Sequence, residues 1–263
     1  LKRAVKRKKT VQSIILDMEC ETKIIDAVDG KSLTAQYISQ FYNKRLYFGG
    51  NKLFRTNDQG STWNEISPDL TRGTPQEMEM LMGRSWSKDD LAWKSSMAFI
   101  TTIAESPLDE NKLYVGTGDG LIHYTNDGGI NWKKSSSIPG LPKYSRVHHI
   151  VAAFKDVNVA YAACHDFIGG SKKPFLYKTS DGGNTWKSIN ANLPEIGASY
   201  TVAVDHVDPN LLFVGTQFGL YVSNDGGKDW VAFNNGMPNT TVMDIDIQRR
   251  ENDLVVSTFG RGV

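Results

Sequence analysis

Two acidic residues, Asp119 and Asp166, form the one carboxylate pair that could do chemistry in this chain. Each comes shortly after an apolar run, residues 113–117 (LYVGT) or 160–164 (AYAAC), so we expect each in the loop that follows a strand. Hydrolysis of a glycosidic bond needs two carboxyl groups that flank the bond. The alternative, which we favour, is that both acids only form turns, the usual role of an acid in a loop.

Aromatic, cationic and polar side chains occupy the corresponding loops elsewhere in the chain. A mixture of Tyr, Phe and Arg suits a binding surface, where these residues act as anchors. Two adjacent histidines, His148 and His149, open a strand, and we expect one imidazole to pack there instead of binding a metal. The predicted binding residues are Asn51, Asp119, Tyr144, Arg146, His165, Asp166, Tyr200, Phe218, Asn239 and Arg261.

A motif of eight residues occurs four times and indicates how these loops are positioned. It has a hydroxyl residue, an aspartate two positions later, a glycine two after that and a tryptophan three after that. The aspartate can accept hydrogen bonds from amides two or three residues ahead, and the glycine supplies a positive φ, as in a tight hairpin. We call these segments the repeat turns: residues 56–63 (TNDQGSTW), 125–132 (TNDGGINW), 179–186 (TSDGGNTW) and 223–230 (SNDGGKDW).

The aspartates and tryptophans of the repeat turns are predicted to be structural. Each tryptophan leads the strand after the turn, where its large ring can be buried against the sheet. A calcium loop would need several oxygen ligands at alternate positions and a closing bidentate acid, which these turns lack. We therefore predict no metal and no cofactor. The structural positions are Asp58, Asp127, Asp181, Asp225, Trp63, Trp132, Trp186 and Trp230.

Short apolar strands recur together with the repeat turns. Runs like residues 46–50 (LYFGG) and 212–216 (LFVGT) precede each turn, and residues 254–258 (LVVST) form a fifth run with no turn after it. A repeat of roughly 40–50 residues that consists of four short strands is typical of a propeller blade. The sequence therefore predicts an all-β protein, a β-propeller with four-stranded antiparallel blades.

The predicted domain plan has two parts. Residues 45–263 hold the blades, with an insertion at residues 67–96 that includes a short helix. Residues 1–44 form a divergent N-terminal segment, interpreted as an incomplete blade. The last blade stops after two strands and leaves an unpaired edge. We therefore expect an incomplete ring, completed by missing sequence or by a partner chain.

Composition narrows the possible classes of function. The chain has 263 residues, a net charge of +1 and 40% hydrophobic residues, which argues against a general nucleic-acid binder. No run approaches the roughly 18 apolar residues of a membrane span. The basic residues 1–9 are interpreted as a solvated terminus instead of a targeting or nucleic-acid-binding tail. Whether Cys20 and Cys164 pair is left open by the sequence.

The repeat turns resemble the Asp-box, or bacterial neuraminidase repeat, over residues 45–263. Residues 66–71 (ISPDLT), 213–221 (FVGTQFGLY) and 251–262 (ENDLVVSTFGRG) are similar to the C-terminal half of sortilin-type propellers of secreted bacterial proteins. The resemblance implies an exported or cell-surface protein, with the export signal upstream of this piece. It does not imply an enzyme, because a fold does not fix a function.

These observations predict a non-catalytic scaffold that recognises a protein or peptide. Two alternatives stay open: a glycoside hydrolase or sialidase, and a polysaccharide-binding module. Sialidases share the Asp-box, but they need three arginines on the substrate carboxylate and a Tyr/Glu nucleophile pair. Arg146 and Arg261 are candidates for two of these arginines, and a third is not evident.

Overall fold

The computed structural model describes residues 35–73, 98–167, 169–233 and 236–260. These residues form strands and turns, and no helix occurs among them. In the same part of the chain, nothing resembles a helix long and apolar enough to cross a membrane. The helix predicted in the insertion, residues 1–34 of the predicted incomplete blade, and Arg261 lie outside the described residues.

The strands form four sheets of four strands and one sheet of two, all with antiparallel neighbours in chain order. The first sheet comprises β1 (Ala35–Ile38), β2 (Leu46–Gly49), β3 (Leu53–Thr56) and β4 (Asn64–Glu65). The second comprises β5 (Ile100–Ser106), β6 (Asp109–Thr117), β7 (Ile122–Thr125) and β8 (Lys133–Lys134). The third comprises β9 (Arg146–Ala152), β10 (Ala160–His165), β11 (Phe175–Thr179) and β12 (Lys187–Ser188). The fourth comprises β13 (Ser199–Val204), β14 (Leu212–Thr216), β15 (Gly219–Ser223) and β16 (Val231–Ala232), and the fifth comprises β17 (Val242–Gln248) and β18 (Asp253–Thr258).

The five sheets are blades of a β-propeller, which confirms the predicted fold class. Their first strands, β1, β5, β9, β13 and β17, line one central cavity of about 900 Å³. The fifth blade has two strands among the described residues, and the sheets do not close into a ring through strand pairing. The architecture is therefore that of a partial ring.

Strand β10 illustrates why the sequences of the middle strands are almost entirely apolar. Alternate side chains of a strand point to opposite faces of the sheet. Ala162 and Cys164 pack in the core shared with the second blade, whereas Tyr161 and Ala163 pack in the core shared with the fourth. Since neighbouring blades cover both faces, neither face needs polar residues.

The first blade begins ahead of residue 45, the boundary suggested by the sequence. Strand β1 lies within the predicted N-terminal segment and pairs with β2 in register from Ala35↔Gly49 to Ile38↔Leu46. This strand is the inner strand of the first blade. The described part of residues 1–44 therefore contributes structure to the blade instead of standing apart from it.

The close approach of neighbouring blades explains why the second strand of a blade has a glycine near its end. A Cβ added at Gly215 would lie 2.6 Å from Val242 Cγ1 in the next blade. A Cβ added at Gly49 would lie 2.7 Å from Ile100 Cγ2, again in the next blade. The glycine in these runs thus allows the inner strand of the following blade to pack tightly.

The antiparallel order places the connections of each blade at two opposite ends. The turn end carries the repeat turns, which join the third and fourth strands of each four-stranded blade, and the connections between the first and second strands. The loop end is the opposite end: it carries the connections between the second and third strands and the starts of the inner strands. The predicted binding residues that the structure describes fall at the loop end.

Candidate binding site at the loop end

The repeat turns share one hydrogen-bond pattern, seen clearly in the third. Asp181 Oδ1 accepts hydrogen bonds from the Thr179 hydroxyl and from Thr185 N, both at 2.9 Å. Thr179 Oγ1 in turn accepts a hydrogen bond from Gly183 N at 3.0 Å. The other three turns repeat these contacts. The aspartate thus reaches an amide four residues ahead, beyond the two or three predicted, and the hydroxyl closes the turn from the other side.

These hydrogen bonds also stabilise the ionised carboxylates. Bonds from the Thr56 hydroxyl and from the Thr62 amide lower the pKa of Asp58 to about 2. Bonds from the Asn131 amide and the Thr125 hydroxyl do the same for Asp127. The carboxylates therefore already accept hydrogen bonds from their own segment, as a structural turn requires.

Each repeat turn also holds the neighbouring connection of its own blade. Gly182 N donates to Asn158 O at 2.9 Å, between the first two strands of the third blade. In the first blade Gln59 takes the position of this glycine, with a φ of 61°, and its N donates to Lys44 O at 3.0 Å. The positive φ explains why the other three turns have glycine at this position.

Three of the four tryptophans of the repeat turns connect consecutive blades through a hydrogen bond. Trp186 donates from Nε1 to Ser135 Oγ at 3.0 Å, and Trp230 donates to Ile189 O at 2.9 Å. These two rings are 1% and 4% exposed. Trp132 makes the same kind of bond but is only partly buried, and so is Trp63. The predicted burial is therefore incomplete for two of the four rings.

Asp119 acts as a turn acceptor at the loop end. It is 1% exposed, and its carboxylate accepts hydrogen bonds from the Thr117 hydroxyl at 2.5 Å and from Arg72 N at 2.7 Å. Arg72 Nε also donates to the carbonyl oxygen of Asp119 at 2.9 Å. Burial raises the pKa of Asp119, and the hydrogen bonds partly oppose that rise. This aspartate ties the start of the insertion to the second blade.

Asp166 is engaged in a similar way. It is 5% exposed, and its Oδ1 accepts a hydrogen bond from Gly169 N at 3.0 Å. Burial is the main cause that raises its pKa. Both acids considered for hydrolysis are thus held by amides of the chain, which favours the turn-forming interpretation.

Three predicted binding residues meet in one group across the third and fourth blades. Arg146 begins β9, His165 ends β10 and Tyr200 lies near the start of β13. The rings of His165 and Tyr200 have centroids 5.3 Å apart. His148 joins them, with its Nδ1 3.3 Å from His165 Nε2 and its ring centroid 5.4 Å from that of Tyr200. We call Arg146, His148, His165 and Tyr200 the histidine cluster.

The cluster carries positive charge without a compensating acid among the described residues. Burial, followed by the charges of His165 and Arg146, lowers the pKa of His148 to about 3. Burial and the charge of Arg146 lower the pKa of His165 to about 4. Both imidazoles are therefore neutral at pH 7. Burial also lowers the pKa of Arg146, which nevertheless stays protonated because its ordinary pKa is so high.

Two polar atoms of the cluster are buried and have no hydrogen-bond partner among the described residues: Arg146 Nε and His165 Nδ1. The Arg146 guanidinium lies 5.4 Å from the ring centroid of Phe99. The sequence pointed to Arg146, His165 and Tyr200 from their loop positions, but it missed Phe99 and did not place His148 in a binding site.

Four further predicted residues lie at the same end without joining the cluster. Tyr144 has a φ of 68°, and its ring centroid lies 5.0 Å from Lys143 Nζ. Phe218 is 44% exposed. Asn51 donates from Nδ2 to Asp69 at 2.8 Å, and Asn239 is exposed.

The central cavity holds charged residues that sequence reasoning missed. Glu105 is 1% exposed and accepts hydrogen bonds from the Ser39 hydroxyl, Gln40 N and the Tyr47 hydroxyl. It thereby ties the first blade to the second. The sequence feature that could have indicated Glu105 is its position as an acid near the end of the apolar strand β5. The described residues contain no group of three or more His, Cys, Asp or Glu side chains that could hold a metal ion.

No family model matches this chain. A curated xyloglucanase of Paenibacillus sp is 27% identical over 186 residues, which cover 66% of this chain and 17% of that protein. Xyloglucanase Xgh74A of Acetivibrio thermocellus is 28% identical over 192 residues, or 65% of this chain and 21% of that protein. The chain thus spans about a fifth of the length of these curated relatives.

Among solved structures, the GH74 xyloglucanase of Xanthomonas campestris is similar with a TM-score of 0.60 and 19% identity, over 89% of this chain and 36% of that one. The β-propeller domain of Cps50 (Swd1) from Myceliophteria thermophila is similar with a TM-score of 0.57 and 11% identity, over 87% of this chain and 62% of that one. At these identities the likeness establishes the propeller fold and nothing further.

Proposed function

We propose that this chain is part of a non-catalytic β-propeller that recognises a protein or peptide through its loop end, in an exported or cell-surface protein. The observation that carries the proposal is a contrast between two sets of side chains at that end. Asp119 and Asp166 are held by amides of the chain. Arg146 and His165 have buried polar atoms with no partner among the described residues, and Tyr200 lies beside them.

This combination suits binding better than hydrolysis. An aromatic ring and a guanidinium supply large contact area and directed hydrogen bonds, the usual anchors of recognition surfaces. Phe218, 44% exposed on the same end, extends the surface. The hydrogen bonds of the repeat turns support our assignment of these segments as Asp-boxes with a structural role, in the manner of the sortilin-type propellers that they resemble.

A peptide selection tests the proposal. We would immobilise the full chain, select binders from a random peptide library and measure their affinity for loop-end variants. We expect Tyr200→Ala and Phe218→Ala to weaken selected peptides by about tenfold or more, the usual cost of losing an interface anchor. Lys228→Gln, an exposed cation at the turn end, should leave affinity unchanged. Failure to recover any binder, or equal binding to all three variants, would reject the proposal.

Hydrolysis of xyloglucan is the second candidate function, favoured by the names of the curated relatives. Burial raises the pKa of Asp119 and Asp166, which is a property that a general acid needs. Purified protein would be incubated with xyloglucan, and the reducing ends would be measured. Turnover that Asp119→Asn or Asp166→Asn removes without unfolding the protein would replace the recognition proposal. Retention of xyloglucan without turnover would instead indicate a polysaccharide-binding module.

A further inference from the structure

Arg146 differs from every other arginine that the structure describes. The side chains of the others all donate hydrogen bonds within the protein, whereas the Arg146 side chain makes no hydrogen bond or ion pair with the described residues. The acceptors are Glu110 and Asn57 for Arg45, Gly128 O for Arg55, Asp119 for Arg72, Gln40 for Arg249 and Glu251 for Arg250.

The guanidinium of Arg146, which has no partner among the described residues, is also partly buried. Its Nε is buried, its side chain lies against Phe99 and burial lowers its pKa without any contribution from an acid. A charge removed from water without a partner costs free energy, and proteins normally pair such a group. Arg146 can therefore donate hydrogen bonds to an acceptor group of a ligand.

His165 supplies a second donor next to this cation. Its Nε2 lies 3.3 Å from His148 Nδ1, so one of the two nitrogens donates and the other accepts. When His148 donates, neutral His165 carries its proton on Nδ1, the atom that is buried without a partner. An acceptor at Nδ1 selects this tautomer and leaves the bond between the two rings intact.

We infer that Arg146 and His165 together bind a carboxylate group of an acidic peptide, with Tyr200 and Phe99 beside it. The inference rests on the proposed recognition function and specifies the chemistry of its ligand. A carboxylate matches the planar fork of a guanidinium and brings one negative charge to one cation. A phosphate would bring about two negative charges against the single arginine, since both imidazoles are neutral at pH 7.

Selected peptides allow a direct test by a double-mutant cycle. Each Asp or Glu of a recovered peptide would be replaced by Asn or Gln. We expect one such change to weaken binding to the wild-type chain by about tenfold or more, and binding to Arg146→Gln by less than about twofold. Arg146→Lys should give an intermediate loss because it keeps the charge without the fork. Lys173→Gln, an exposed cation in the loop after β10, is the matched control and should keep the full tenfold difference.

A small probe tests the site independently of any peptide. We would titrate sodium acetate into protein labelled with ¹⁵N in its histidine rings, with sodium chloride at equal ionic strength and acetamide as controls. Acetate should shift the His165 ring signals saturably in the wild type and leave them in place in Arg146→Gln. Equal shifts with chloride, or none with acetate, would overturn the carboxylate site. Peptides that bind equally as acids and amides would also overturn it, yet leave the recognition function standing.

Discussion

At the turn end, each repeat aspartate is held by its own segment, whereas at the loop end Arg146 and His165 keep buried polar atoms without a partner among the described residues. The two ends belong to the same blades. A turn that satisfies its own hydrogen bonds gains stability and has little left for a ligand. A group left unpaired loses stability but remains available for binding. We therefore expect removal of a repeat-turn aspartate and removal of the Arg146 charge to affect stability with opposite signs.

The largest effect is expected from the buried ring that joins two blades at the turn end. Trp186 is 1% exposed and donates to Ser135 Oγ in the preceding blade. Trp186→Ala should lower the free energy of unfolding by about 3–5 kcal/mol, as for other large core truncations. Urea denaturation followed by circular dichroism would measure it. Trp132→Ala is the control with a smaller loss, because that ring is only partly buried; equal losses would contradict the link to burial.

Acid should lower the stability of the folded protein through His165 at the loop end. Because the pKa of His165 falls to about 4 in the folded protein, from an ordinary value of 6.5, the unfolded chain takes up the proton first as the pH falls. The stability that neutral His165 contributes is therefore complete above pH 6.5 and is lost between pH 6.5 and about 4. Between pH 7 and pH 5 the loss should be about 1–2 kcal/mol.

The histidine effect can be isolated from that of the acids. Denaturation midpoints would be measured from pH 7 to pH 5 for the wild type and for His165→Gln, and the difference between the two profiles reports His165. The repeat-turn carboxylates take up protons only at lower pH, since the pKa of Asp58 and of Asp127 falls from 3.8 to about 2 in the folded protein. Parallel profiles for the two proteins would show that His165 is not responsible.

A loss of comparable size is expected when one carboxylate of the turn end is removed. Asp181→Ala deletes the acceptor for Thr185 N and for the Thr179 and Thr185 hydroxyls. Because the site is exposed, we expect a loss of about 1–2 kcal/mol in thermal or urea unfolding. Asp229→Ala is a matched control, as this exposed acid contributes its backbone amide to the fourth turn. Melting that depends on calcium and is reversed by a chelator would contradict the structural role.

The sequence predicted the turn end better than the loop end for a physical reason. A repeat turn is closed by groups no more than four residues apart, so its motif alone carries its geometry. The histidine cluster instead combines Arg146 and His148 with a ring from the next blade, Tyr200. Nothing local in the sequence indicates that Phe99 lies under Arg146, because their distance depends on how two blades pack.

The smallest predicted change is a gain of stability at the loop end. Arg146→Met removes a half-buried charge that has no partner among the described residues and keeps a long apolar side chain against Phe99. Replacing a buried charge by an apolar side chain of similar size is often neutral or stabilising. We expect the free energy of unfolding to rise by about 1 kcal/mol while binding of acidic peptides is lost. Arg72→Met is the matched control and should lose stability, because Arg72 Nε donates to Asp119 O.

The pKa of His165, followed by NMR, should rise in Arg146→Met, since the charge of Arg146 helps to lower it. Equal destabilisation by the two variants would mean that Arg146 has a structural partner, and the contrast between the two ends would then not hold.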